Sequence, residues 1–413
     1  MENIQPRESR RLLSMDVFRG MTIAGMIIVN TPGNNEAYRQ LDHAEWNGCT
    51  MTDLVFPFFL FIAGVSLVFS LSKSLEDGRT GGLAAKILRR TAVIFGLGLF
   101  LNAIPNYHPS TIRILGVLQR IAICYGVTAL LFIKTGLKTQ ITIAATALLG
   151  YWLAMTYIPV PGFGAGVLTK DGSLASFIDR VILGPHTYRQ GVYDPEGILS
   201  AIPALATALL GVFTGVWLRS RRDDKNKIYG MLAGGAALAA AGWLWGLSFP
   251  INKALWTSSY VLYTAGLALW ALAVCYWLIE VKGIKSWGRP FEIYGVNAIA
   301  AYITPILLLK FMVLYKLNVP GGEPVQLRVW LCDHIFGTWL SPLNASAAFA
   351  VSYMLLWLLP FPGALQKKDI HKNIITETQS ARSFEPRCAG GGSMGDHIPH
   401  INLLLCGRLW RRT

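Results

Sequence analysis

Asn30, His43 and Asp53 are the residues whose types and spacing most clearly admit chemistry. A histidine can take up a proton near neutral pH, and an amide side chain can donate to a developing oxyanion. Asn30 closes one apolar stretch and Asp53 opens the next. His43 lies on the short segment between them, so the three can converge at one mouth. A blander reading of the same residues is an interfacial histidine beside an Asp53 that caps a helix. A second set is Arg113, Gln119 and Arg120. If one helix carries all three, a separation of seven residues puts both arginines on one face, about 10 Å apart along the axis. Arg120 then lies within the bilayer, where an unpaired guanidinium costs several kcal/mol. It therefore meets either an anionic ligand or a carboxylate, the candidates being Asp16, Asp53 and Glu292.

The elements that must position these residues are membrane helices. Of 413 residues 53% are hydrophobic and only 15% charged, with a mean hydropathy of +0.43, which excludes an ordinary soluble domain. The apolar residues fall in runs near the roughly 20 needed to cross a hydrocarbon core. Ten such runs are expected to be helical: 17–29, 51–71, 87–104, 112–133, 141–157, 197–218, 228–247, 255–279, 293–314 and 345–359. The first is short, but no small-residue cleavage site follows it, so it reads as a span and not as a signal peptide. The fold class is thus all-α, a polytopic membrane protein of about ten transmembrane helices.

Lys and Arg set the orientation. Arg7, Arg10, Arg11, Lys73, Arg79, Lys86, Arg89, Arg90, Lys134 and Lys138 fall on one side, as do Arg219, Arg221, Arg222, Lys225, Lys227, Lys282, Lys285 and Arg289. That side is read as cytoplasmic, with the N-terminus (1–15) and the C-terminus both on it. The net charge of +14 is then mostly a topology signal. Nucleic acid is not expected as a partner, because the basic residues are scattered over several loops. Two loops on the other side, 158–196 and 315–344, are long enough to serve as lids or binding loops. Residues 16–360 form the membrane domain, and 361–413 are expected to be a polar, disordered tail. The six cysteines are too dispersed for a zinc or iron-sulfur motif; Cys49 and Cys332 share the outer side and read as packing residues.

At these same residues a resemblance enters. Asp16-Val-Phe-Arg19-Gly20, then Asn30, then the long run from His43 through Trp46, Asn47, Thr50, Asp53, Pro57 and Gly64 to Ser66 resembles the heparan-alpha-glucosaminide N-acetyltransferase family in its bacterial members. The likeness continues through Arg113-Ile-Leu-Gly116-Val-Leu-Gln119-Arg120, Asp194-Pro-Glu196-Gly197-Ile-Leu-Ser200 and Tyr294-Gly-Val-Asn297-Ala. It covers about residues 10–360.

The resemblance implies transmembrane acetylation at a bacterial inner membrane. Acetyl-CoA approaches from the cytosol, and its acetyl group passes to the amino group of a terminal glucosamine, or a related glycan, on the far side. In the family the active-site histidine falls at His43, as catalytic base or acetyl acceptor, and an asparagine that works with it falls at Asn30. Asp16, Arg19, Trp46, Asn47, Asp53, Arg113, Gln119, Arg120 and Asn297 are expected to bind CoA or the acceptor, with no metal. The expected partners are acetyl-CoA, the glycan acceptor and the lipid bilayer, and a homodimer is compatible with this. Two other functions stay open: a secondary transporter or channel for a small polar solute, and an O-acetyltransferase of an envelope polysaccharide.

Overall fold

The computed structural model describes residues 12–104, 108–188, 191–318 and 323–359. The expected tail at 361–413 and most of the expected N-terminal segment lie outside them. Each of the ten apolar runs contains a helix. The first is α1, Leu13–Asn30, longer than expected because Asp16 and Arg19 pair one turn apart and carry the helix through a polar stretch that hydropathy alone cuts off. α2 (Met51–Glu76), α3 (Leu83–Ala103), α4 (Val117–Lys134) and α5 (Leu137–Tyr157) follow. Within the first long loop lies α6, Leu174–Leu183, a short helix that hydropathy does not announce.

The second half holds α7 (Ala201–Arg219), α8 (Asp224–Gly246), α9 (Ser258–Tyr276, continued by a π turn to Val281), α10 (Arg289–Val296), α11 (Ala298–Leu314), α12 (Leu327–Ile335) and α13 (Pro342–Leu356). A two-residue hairpin, β1 (Lys316–Leu317) with β2 (Val325–Gln326), joins α11 to α12. Among the described residues six helices are long and apolar enough to cross a membrane, or seven if the α10–α11 pair is one broken span. The run expected at 293–314 is thus two helices, bent by 78° at Asn297. There the side-chain Nδ2 donates back to the Ile293 carbonyl at 3.0 Å, serving a carbonyl that the break leaves free.

Close helix approach rests on small residues, as is usual where lipid tails compete with apolar side chains. A Cβ added at Gly64 of α2 would lie 2.1 Å from the Ala208 carbonyl oxygen of α7, and one at Gly211 of α7 would lie 2.0 Å from that of Phe61. Gly20 and Gly295 join α1 to α10 in the same way. These contacts hold α2 against α7 and α1 against α10. The segments joining α1 to α2, α3 to α4, α5 to α7 and α8 to α9 then meet at one end of the bundle, through Gly48 N–H to Ile251 O (2.8 Å), Trp46 Nε1 to Leu168 O (2.7 Å) and Ile114 N–H to His186 O (3.1 Å).

Candidate active site

His43 and Asp53 are brought together directly, with Nδ1 of the imidazole 2.7 Å from Oδ1 of the carboxylate. Asp53 is buried and His43 is half exposed, its side chain retaining 52% of its accessible surface. The other oxygen of Asp53 accepts from the backbone N–H groups of Thr50 and Ala44 and from the Thr50 hydroxyl, each at 3.1 Å. The carboxylate therefore closes the N-terminus of α2 and orients the histidine at once, so the capping and catalytic readings of Asp53 describe one geometry. With Nδ1–H assigned toward Asp53, the neutral imidazole presents Nε2 as a base.

A third group at this mouth was not anticipated. Lys253 Nζ lies 3.0 Å from His43 Nδ1, 3.3 Å from Nε2 and 3.5 Å from Asp53 Oδ1. It arrives on the segment that links α8 to α9. Asn252, itself buried, bonds Asn47 Oδ1 through its amide (3.1 Å) and accepts from the Leu255 N–H (2.9 Å). Thr257 donates to the Pro250 carbonyl. Trp256 holds φ +51°, a left-handed backbone that a bulky residue adopts only when its surroundings impose it. Its indole is fully buried against Phe56 and Tyr260, and the Tyr260 hydroxyl donates to the Asp53 carbonyl at 2.6 Å. Burial lowers the Lys253 pKa, opposed by the Asp53 and Glu196 carboxylates. Cys49, beside the same groups, is pushed up to about 12 by burial first and by Asp53 second, which keeps it a thiol.

The arginines do not share a helical face. Gly116 is fully extended (φ −178°, ψ −173°), so α4 begins only at Val117 and Arg113 sits on the strand-like segment before it. The two nevertheless converge on the segment 194–200. Arg113 pairs with Asp194 at 2.5 Å, bonds Glu196 and lies over the Tyr188 ring at 4.9 Å. Burial pushes the Glu196 carboxyl up, and Arg113 with Arg120 more than offsets it, leaving it below its ordinary value. Arg120 is fully buried in the first turn of α4. Its Nη2 donates to the Gly197 carbonyl (3.0 Å) and to the Ser200 hydroxyl, and the guanidinium lies 5.0 Å over Trp256. None of the proposed partners Asp16, Asp53 and Glu292 pairs with it among the described residues. Its Nε and Nη1 have no hydrogen-bond partner there, nor has the Nε2 of the adjacent buried Gln119.

The remaining candidates fall elsewhere. Asp16 and Arg19 lie in the opposite half of α1, about 21 and 16 Å along the axis from Asn30. There Arg19 donates to the Gly295 carbonyl (2.7 Å) and to Ser66 (3.3 Å), next to the bend at Asn297. Trp46 and Asn47 belong to the His43 loop; Trp46 meets Tyr193 edge-on at 5.6 Å, and Tyr193 meets Tyr188 at 6.0 Å. Asn30 is exposed at the end of α1, and its side chain makes no hydrogen bond among the described residues. The four described cysteines are free, and no cluster of metal-ligating side chains occurs among the described residues.

Residues 11–243, more than half of the chain, match the family described as heparan-alpha-glucosaminide N-acetyltransferase, catalytic. The chain is 31% identical over 357 residues to heparan-alpha-glucosaminide N-acetyltransferase of Mus musculus, an alignment that covers 71% of this chain and 53% of that protein. It is 33% identical over 350 residues to the Homo sapiens protein of the same name, covering 71% of this chain and 52% of that protein. The chain thus spans about half the length of the curated relatives it matches. All the residues that build the His43 mouth except those of 249–260 fall inside the matched catalytic region, and the chain belongs to the heparan-alpha-glucosaminide N-acetyltransferase family.

Proposed function

We propose that this protein is an acetyl-CoA-dependent acetyltransferase of the bacterial inner membrane, with about ten spans and both termini in the cytoplasm. It takes the acetyl group from cytosolic acetyl-CoA and places it on the amino group of a sugar or glycan at the far side. The observation that carries this reading is the His43–Asp53 pair at 2.7 Å, at the bundle end away from most of the basic residues. A carboxylate on Nδ1 fixes the tautomer and supports the imidazolium, so Nε2 can take the proton of an attacking amine. Asn30, at the end of α1, is expected to work with His43, as in the family.

The donor's path follows from where charge sits. Asp16 and Arg19, in the N-terminal half of α1, and Asn297, at the α10–α11 bend, stand where the polar part of CoA enters the bundle. Arg120 and Gln119, at the His43 end and with N–H groups unpartnered among the described residues, are the donors for the amide carbonyls of the pantetheine arm. Trp46, Tyr193 and Tyr188 supply aromatic surface on the acceptor side, where sugar rings stack.

Purified wild-type protein is expected to bind CoA saturably and stoichiometrically, which a solute transporter has no reason to do. His43→Ala is expected to abolish acetyl transfer and to leave CoA binding largely intact, because the imidazole acts on the chemistry and not on the donor's phosphates. Near wild-type turnover in that variant removes the centre of the proposal.

A further inference from the structure

We propose that Lys253 is a catalytic residue of this centre, its ammonium holding the oxyanion that forms when the acceptor amine attacks the acetyl thioester. The inference rests on the acetyltransferase reading above. Its basis is position. Lys253 Nζ lies within 3.3 Å of both imidazole nitrogens and 3.5 Å from Asp53 Oδ1, so any acyl carbon next to Nε2 has its oxygen within reach of that ammonium. Its side chain is only 21% exposed, and a cation desolvated to that degree stabilises developing charge far more than one in water.

The surrounding structure fixes that placement. Gly48 N–H to Ile251 O and the Asn252 amide to Asn47 Oδ1 lock the Lys253 segment onto the His43 loop. Trp256, three residues on, holds the strained backbone that turns the chain back into α9. A lysine held this way needs little reorganisation when charge appears on the substrate oxygen. Asn30, by contrast, is exposed and contacts none of these groups through a hydrogen bond among the described residues.

The step balances as follows. The neutral acceptor nitrogen forms a bond to the thioester carbonyl carbon, and the carbonyl pair moves to oxygen, where the Lys253 ammonium donates to it. The nitrogen's proton passes to His43 Nε2. The oxyanion collapses, the carbon–sulfur bond breaks, and the imidazolium proton goes to the CoA sulfur. Lys253 ends the cycle as it began, protonated and unacylated. Burial lowers the Lys253 pKa against the pull of the neighbouring Asp53 carboxylate, and a more acidic ammonium donates more strongly than a solvated lysine.

The test uses the purified full chain, labelled acetyl-CoA and glucosamine as acceptor. Lys253→Met is expected to lower kcat on the order of 10²-fold or more, the scale for losing one oxyanion donor, with the KM for acetyl-CoA and the CoA affinity within about threefold of wild type. Lys253→Arg, which keeps the charge, is expected to recover at least about tenfold of that loss. A folded Lys253→Met protein with kcat within about threefold of wild type overturns the proposal. Should the Met variant fail to fold, the Arg variant decides: folded protein without measurable transfer overturns it. An acetyl mass increment on the Lys253 peptide after turnover also overturns it, because the side chain would then be a nucleophile. A wild-type protein that binds CoA but transfers nothing refutes the acetyltransferase reading itself, and that result appears before any substitution is made.

Discussion

Asp53 serves two partners through two oxygens, and a substitution that keeps one partner and reverses the other separates them. In Asp53→Asn the amide oxygen can still accept from the Thr50 and Ala44 N–H groups. The Nδ2 group then faces His43 Nδ1 as a donor, which forces the imidazole proton onto Nε2 and removes the base. Expected are a fall in kcat on the order of 10²-fold or more and a loss of only about 1 kcal/mol in stability, read from initial rates and thermal melts. A large stability loss with a small change in rate would make Asp53 a cap alone.

A second carboxyl, on α6, is tuned by its surroundings. Asp179 is buried and is raised from 3.8 to about 6 by desolvation first and then by Asp194, against the Ile198 N–H it accepts at 2.8 Å and against Arg120 and Arg180. Below pH 4 both the folded and the unfolded chain hold this proton, and above 6 neither does. Between those values only the folded chain keeps it, so stability falls as pH rises through this window, by no more than about 3 kcal/mol. Asp179→Asn is expected to flatten the melting-temperature profile between pH 4 and 6, and a profile as steep as wild type refutes the assignment.

At this scale the sequence exposes His43 with Asp53, because ten residues and one helix start separate them. It hides Lys253, 210 residues from its histidine, where it stands out only as one of a few cations on the outer side.

Among the elements, apolar runs of nearly spanning length announce a helix in each of the ten places. What they cannot announce is where a helix breaks without losing hydropathy. Asn297 sits in an apolar context, so the 78° bend there leaves no mark in composition. Arg113 and Arg120 look like one helical face until Gly116 is seen to be extended. The segment between α8 and α9 is the clearest case, a short loop by hydropathy and a hydrogen-bonded strap in the structure. Asn252 is its central tie, with both Oδ1 and Nδ2 engaged. Asn252→Ala leaves the Leu255 N–H without its partner and frees the Asn47 contact. A loss of about 1 to 3 kcal/mol in stability is expected, together with a fall in kcat larger than the change in CoA affinity. Equal losses in rate and donor binding would show that the strap supports the whole bundle and not the mouth in particular.

Across the whole molecule, charge bias and site geometry agree on a polarity that neither contains alone. Lys134 and Arg219 end α4 and α7, and Lys282 follows the π turn after α9, whereas His43, Lys253, Trp256 and the start of α4 gather at the other end. α2, with 26 residues, is about 39 Å long by helix rise and so exceeds the roughly 30 Å hydrocarbon core that separates the two ends. Transfer across a membrane needs this separation, since a centre on the cytoplasmic side would acetylate only cytosolic acceptors. Exposed positions at each end make the polarity measurable. In a background with Cys49, Cys388 and Cys406 changed to Ser, Glu36→Cys lies on the His43 side and Lys225→Cys on the basic side, both solvent-exposed. In cells whose outer membrane has been made permeable but whose inner membrane is intact, a membrane-impermeant maleimide is expected to label Glu36→Cys. It is expected to reach Lys225→Cys only after the inner membrane is lysed. The remaining described cysteines, Cys124, Cys275 and Cys332, are buried and leave a low background. The reverse pattern would place His43 in the cytoplasm and end the transmembrane mechanism while leaving the acetyl-transfer chemistry intact; labelling of both positions before lysis would mean that the sealed-membrane condition had failed and the measurement must be repeated on inverted and right-side-out vesicles, where the two faces are read separately.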